Sequence, residues 1–222
     1  VDRYETRYAE RVTRSTFFLL LGGASAAAFA LVARAVATRE AAPVDREVHQ
    51  QTALEPGHPA RRAAEAASPL GKWWMYVPGA LLAGVYVVAT REEDDELPPR
   101  LYGTLAIVGA AIVAAVTNKQ FDDLLPQPPA PPGRPSPDHP VFPSGHAYGT
   151  LSVALTAAYV LMREEVAHGA IAFPIALAIP VASAAARLVE EKHWISDIAG
   201  GYLAALTLAS LVLAPYEAAR AA

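Results

Sequence analysis

The stretch GAIAFPIALAIPVASAAARLVEEKHWISDIAGGYLAALTLASLVLAP, residues 169–215, decides the fold. Two uncharged runs, Gly169 to Ala186 and Ile198 to Pro215, flank a polar turn that holds Arg187, Glu190, Glu191, Lys192, His193 and Asp197. At about 1.5 Å rise per residue, each run makes roughly 27 Å of helix, close to the hydrocarbon thickness of a bilayer. Four more blocks lie upstream: Ser15 to Ala37, with only Arg34 charged, Trp73 to Thr90, Leu101 to Thr117 and Ala147 to Met162. One such block could be a core helix of a soluble protein. Six in 222 residues, separated by polar stretches, fit no soluble fold. The expectation is an all-α integral membrane protein, a six-transmembrane-helix bundle forming a single domain over residues 1–222.

Composition agrees and narrows the function. The chain is 53% hydrophobic and 18% charged, below the roughly 25% charge of an average soluble domain, which excludes disorder for the chain as a whole. With no cysteine there is no disulfide, thiolate metal site or thiol nucleophile. A net charge of −4 without a basic face argues against a nucleic-acid partner.

Orientation rests on the N-terminus. Arg3, Arg7, Arg11 and Arg14 precede the first block, which ends in Ala35-Val36-Ala37 and so has the look of a signal-peptide cleavage site. Its apolar core is longer than the about 7–15 residues of a signal peptide, so it is read as a retained helix. Gly22, Gly23, Ala24 and Ser25 suit close packing in lipid. With the basic arm inside, residues 38–72, 118–145 and the 187–197 turn lie outside, while 91–100 and 163–168 lie inside. Lys and Arg then divide eight inside to nine outside, so the overall count decides nothing. The expected location is the plasma or inner membrane, multi-pass, with both termini cytoplasmic and the site extracytoplasmic. In the 38–72 loop, PVDREVHQQTALE and ARRAAEAASPLGK read as short helices, a lid at the site mouth without chemistry of its own.

Residues 118–145 carry nine prolines between Pro126 and Pro143, so the backbone there is extended rather than helical. The segment delivers Arg134 and then Pro143-Ser144-Gly145-His146 to the start of an apolar helix. Free backbone N–H groups and the positive end of a helix suit an anion. On the same side by parity of crossings, His193 and Asp197 stand four apart and share a helical face. A carboxylate on one imidazole nitrogen leaves the other free to attack.

These motifs resemble the type 2 phosphatidic acid phosphatase (PAP2) superfamily, which also contains vanadium-dependent haloperoxidases. Its Pro-Ser-Gly-His motif matches residues 143–146, and its Arg-x5-His-x3-Asp motif matches Arg187, His193 and Asp197. The first motif, Lys-x6-Arg-Pro, is met at Arg134-Pro135, while Lys119 lies further upstream than the motif's spacing. Either a proline-rich insertion lengthens the loop and Lys119 still reaches the site, or Lys119 is an interfacial snorkelling lysine. Ala186 and Glu191 replace the usual serine and glycine of the third motif. Glu190 and Glu191 are unfavourable beside an anion unless they point away or meet a cation.

The resemblance implies a lipid phosphatase working without metal or cofactor. Its substrate would be a lipid phosphate or pyrophosphate of the phosphatidic acid, phosphatidylglycerol phosphate or polyprenyl pyrophosphate class. His193 would be the nucleophile, forming a phosphohistidine, with Asp197 orienting it and His146 as acid and base. Arg134, Arg187, Ser144, Gly145 and Lys119 reaching across the proline-rich loop would hold the phosphate. His49, His58 and His168 read as solvated, His139 as a residue near the mouth, and Trp73, Trp74 and Trp194 as interfacial anchors. Asp122 and Asp123 alone are weak evidence for a cation site. The alternatives are a vanadate-dependent haloperoxidase and a non-catalytic lipid-binding or transport protein.

Overall fold

The computed structural model describes residues 3–92 and 97–220. The helices are α1 (Arg3–Ala37), α2 (Ala42–Thr52), α3 (Pro59–Ala67), α4 (Trp73–Ala89), α5 (Leu97–Leu124), α6 (Gly145–Arg163), α7 (Gly169–Val189) and α8 (Ile195–Ala219). A 3-10 turn, Ser68–Gly71, joins α3 to α4. Among the described residues there is no strand, so the chain is an all-α helix bundle. Part of the 91–100 connection, residues 93–96, and the side chains of Arg3, Arg7 and Arg11 lie outside the described residues.

The six apolar blocks become α1 and α4 to α8. The two segments expected to be helical in the 38–72 loop become α2 and α3. Pro59 opens α3, where a missing N–H costs nothing, and the His58 ring nitrogen accepts from Ala60 N at 3.2 Å. His168 caps α7 in the same way, accepting from Ala170 N at 3.3 Å. Both histidines thus have local structural roles.

Among the described residues, four helices are long and apolar enough to cross a membrane: α1 from Thr13, α5, α7 and α8. The chain is therefore a multi-pass membrane protein. The other two expected crossings are less apolar or shorter. Helix α4 has 17 residues, and α6 buries Thr150, Ser152 and Thr156. The reason lies in position. Helices α5, α7 and α8 pack around α6, so its surface faces protein rather than lipid. Its hydroxyls bond back along the helix, Ser152 Oγ to Tyr148 O at 2.7 Å and Thr156 Oγ1 to Ser152 O at 2.8 Å. Leu82, Leu105 and Ile175, by contrast, are about two-thirds exposed or more (71%, 68% and 67%), as a lipid-facing surface requires.

Small residues let the helices approach. A Cβ on Gly103 of α5 would run into Val160 of α6, so this contact is available only to glycine. At the end remote from the Pro-Ser-Gly-His segment, α6 and α8 are locked by buried charge. The fully buried Glu217 accepts from Tyr159 Oη at 2.8 Å and from Arg163 Nε at 2.7 Å. Glu164 pairs with Arg220 at 3.1 Å and accepts from the Tyr216 hydroxyl. At the other end, buried Asp45 of α2 accepts from Ser196 N at 2.9 Å and Ser196 Oγ at 2.8 Å. That carboxylate caps the first turn of α8 from outside the helix.

Candidate active site

The proline-rich segment is ordered by what it touches. Gln127 Oε1 accepts from both Val141 N and Phe142 N at 2.9 Å, and its Nε2 donates to Phe142 O at 2.8 Å. Trp194 Nε1 donates to Pro129 O at 2.8 Å, and Gly133 N to Glu191 O at 3.0 Å. A side chain on Gly133 would collide with the backbone of Glu190 and Glu191. The loop therefore folds back onto the α7–α8 turn and delivers Arg134 there.

Arg134 Nε donates to Lys192 O at 2.7 Å, and its Nη2 lies 2.9 Å from His193 Nε2. A guanidinium can only donate, so Nε2 is the acceptor and the imidazole proton sits on Nδ1. That Nδ1 donates to Asp197 Oδ2 at 3.2 Å, and the same oxygen accepts from Trp194 N at 2.8 Å. Residues 134, 193 and 197 thus form one chain, in which the Nε2 lone pair is held by Arg134 at the cavity wall. Burial, and then the positive charges of Arg134 and Arg187, push the His193 pKa well below the usual 6.5. Neutral imidazole is the form a nucleophile needs.

The first turn of α6 meets this chain. Ser144 N donates to Asp197 O at 2.9 Å, which fixes the start of α6 against α8. His146 Nε2 is buried and has no partner among the described residues. Gly145 is required because a side chain there would strike Asn118. These groups open on a cavity of about 270 Å³, lined by Arg134, Arg187, His193, His146, Gly145 and His139 among others. Trp73, Trp74 and Tyr76 form part of its aromatic wall.

Of the residues expected at the site, Arg134, Arg187, Gly145, His146 and His193 face this cavity, and Asp197 stands behind His193. Ser144 is buried with an unpartnered hydroxyl but lies outside the lining. Lys119 is on an exposed face of α5, while Asn118 and Asp122 of the same helix line the cavity. His49 is less solvated than expected, packing edge-on against Trp194 at 5.4 Å and lying 3.5 Å from Glu191.

The two glutamates differ in their partners. Glu191, at φ +57°, points away to Arg61 Nη1 at 3.0 Å. Glu190 is buried and meets Arg187 Nη1 at 3.1 Å and Lys192 Nζ at 2.9 Å. Ser68 Oγ accepts from Arg187 Nη1 at 3.0 Å and donates to Glu190 at 3.2 Å. The 38–72 segment therefore holds Arg187, an arginine of the cavity lining, through Ser68. No local motif marks Ser68 or Glu190. Gln127 did leave a signal: it stands seven before Arg134, where the Lys-x6-Arg-Pro pattern has its lysine.

Residues 102–220, more than half the chain, match the PAP2 superfamily. The chain belongs to the PAP2 superfamily. With that membership comes hydrolase activity of the phosphatase type. The fold is also similar to the crystal structure of the first transmembrane PAP2 type phosphatidylglycerolphosphate phosphatase from Bacillus subtilis. That likeness has a TM-score of 0.66 at 21% identity, over 86% of this chain and 94% of the other. No curated protein matches the chain. The superfamily match includes all of α6 to α8 and leaves out α1 to α4, so Asp45, Ser68 and Gly71 lie beyond the matched region.

Proposed function

We propose that this PAP2 protein hydrolyses a lipid phosphate or pyrophosphate through a phosphohistidine on His193, without a metal. The observation that carries the reading is the Arg134–His193–Asp197 chain, which holds Nε2 under a displaceable Arg134 hydrogen bond at the wall of a cavity shared with the unpartnered His146 nitrogen. Arg134, Arg187 and the N–H groups of the first α6 turn hold the phosphoryl oxygens and take up charge as the transition state forms. Phosphate displaces the Arg134 hydrogen bond from Nε2, which then attacks phosphorus. The N–P bond forms as the P–O bond to the lipid breaks, and His146 gives its proton to the leaving oxygen. Water then attacks the phosphohistidine, His146 takes back a proton, and phosphate leaves as the N–P bond breaks. Asp197 offsets the positive imidazole throughout.

In this reading residues 1–222 form one domain with six crossings, α1 and α4 to α8. Helices α2 and α3 form a lid on the extracytoplasmic side, and both termini are cytoplasmic. The aromatic wall of Trp73, Trp74 and Tyr76 accommodates the start of the lipid chain. The test is phosphate release by detergent-solubilised protein from phosphatidic acid, phosphatidylglycerol phosphate and polyprenyl pyrophosphate, with acid-quench trapping of the labelled enzyme. Release that vanadate inhibits, with acid-labile label absent from His193→Ala, supports the proposal. Vanadate-activated halide oxidation without phosphate release would make the protein a haloperoxidase. Neither activity would leave a lipid-binding protein.

A further inference from the structure

The site contains a cation that none of the three motifs explains. The first-motif lysine is absent from its register. Gln127 stands there, and its amide is used up in holding Val141 and Phe142. Lys119, the nearest upstream lysine, is exposed and outside the cavity lining. Lys192 is occupied by the buried Glu190 carboxylate at 2.9 Å.

Lys72 is different. It lines the cavity with Arg134, Arg187, His146 and His193. Among the described residues it makes no ion pair, and its Nζ lies 5.9 Å from the Trp74 ring centroid. Its backbone is held on both sides. Ser68 bonds Arg187 at 3.0 Å, and Gly71 lies so close to His146 and Ser183 that a Cβ would collide with both. Lys72 then caps the start of α4. A four-residue turn bonded to one phosphate-site arginine and packed on His146 fixes where this ammonium can reach. The free charge on a flexible stem can close on an anion without first breaking a salt bridge.

We propose that Lys72 is a phosphate-binding residue, taking from the α3–α4 turn the place that the family's Lys-x6-Arg-Pro segment fills elsewhere. The inference rests on the phosphatase reading for its substrate, but not for the anion it binds. The donor is thereby moved from the proline-rich loop to the segment that also carries α2 and α3. Anion binding and the seating of that segment become coupled.

The test compares Lys72→Ala, Lys72→Arg and Lys119→Ala in the full chain in detergent. Orthovanadate binding is measured by calorimetry beside kcat/KM on the lipid panel. Lys72 is exposed, so unchanged thermal unfolding is expected for its variants. Lys72→Ala should weaken orthovanadate at least tenfold and lower kcat/KM by about 10²-fold, as loss of one preorganised donor does. Lys72→Arg should recover part of both, and Lys119→Ala should match the parent. Less than tenfold weakening in Lys72→Ala overturns the proposal, as does the same deficit appearing in Lys119→Ala instead. A parent that binds orthovanadate yet releases no phosphate defeats the phosphatase reading while the binding comparison still decides Lys72. A parent that does not bind orthovanadate overturns both.

Discussion

Asp197→Asn isolates the charge behind the proposed nucleophile, His193. Asp197 Oδ2 lies 3.2 Å from His193 Nδ1, and both residues are buried. In the proposed mechanism the attacking His193 ring gains a positive charge that must be offset there. At this separation and an effective dielectric near 20, the Coulomb attraction is about 5 kcal/mol. Asparagine keeps an oxygen for Trp194 N and a dipole toward the ring, which recovers part of it. The net loss is about 3–5 kcal/mol, so kcat should fall by about 10²–10⁴-fold. Orthovanadate affinity should change far less, because Arg134 and Arg187 remain. The assay is single-turnover formation of labelled enzyme, with steady-state phosphate release alongside. A variant within tenfold of the parent in phosphoenzyme formation would show that Asp197 serves only to start α8.

His193→Ala should abolish both phosphoenzyme and phosphate release, while His146→Ala should lower turnover by about 10²–10⁴-fold and leave orthovanadate binding in place; retention of a tenth of parental activity by His193→Ala would remove it as nucleophile. Gly71→Ala drives a methyl into His146 and Ser183, so turnover should fall by about 10²-fold through a misplaced imidazole, whereas an unchanged rate would mean that the turn yields without cost. Because burial and Arg134 hold the His193 pKa below 6.5, its reactive neutral form persists below that pH, and Arg134→Gln should move the acid limb of kcat/KM upward; identical limbs in parent and variant would exclude that coupling. The same shift means that the unfolded chain takes up a proton the folded His193 refuses, so its stabilising contribution is complete above about pH 6.5 and is lost as pH falls toward the depressed value, a trend for thermal unfolding scans to check. Asp45→Ala strands the Ser196 N–H and hydroxyl, and should cost about 2–4 kcal/mol in denaturant or thermal unfolding; a silent variant would mean that water replaces the carboxylate.

The membrane class, the six apolar helices and the pairing of His193 with Asp197 were all legible in the one-dimensional sequence. Each depends on a local pattern. An uncharged run has to find lipid or protein around it, and a histidine four residues ahead of an aspartate shares its helical face. The cations were a different matter. Nothing near Lys119 in the chain says that its helix turns it outward while Asn118 and Asp122 face the cavity. Nothing near Ser68 or Lys72 says that a turn more than a hundred residues before Arg187 lies against it. Glu190, unfavourable on paper beside an anion, is neutralised by Arg187 and Lys192. Such placements follow from how α2, α3 and the proline-rich loop pack over the bundle end, where contacts join segments distant in the chain. Spacing along the chain determined which groups could do the chemistry; only the tertiary packing decided which charges stand around them, because electrostatic attraction depends on distance in space and not on separation in sequence.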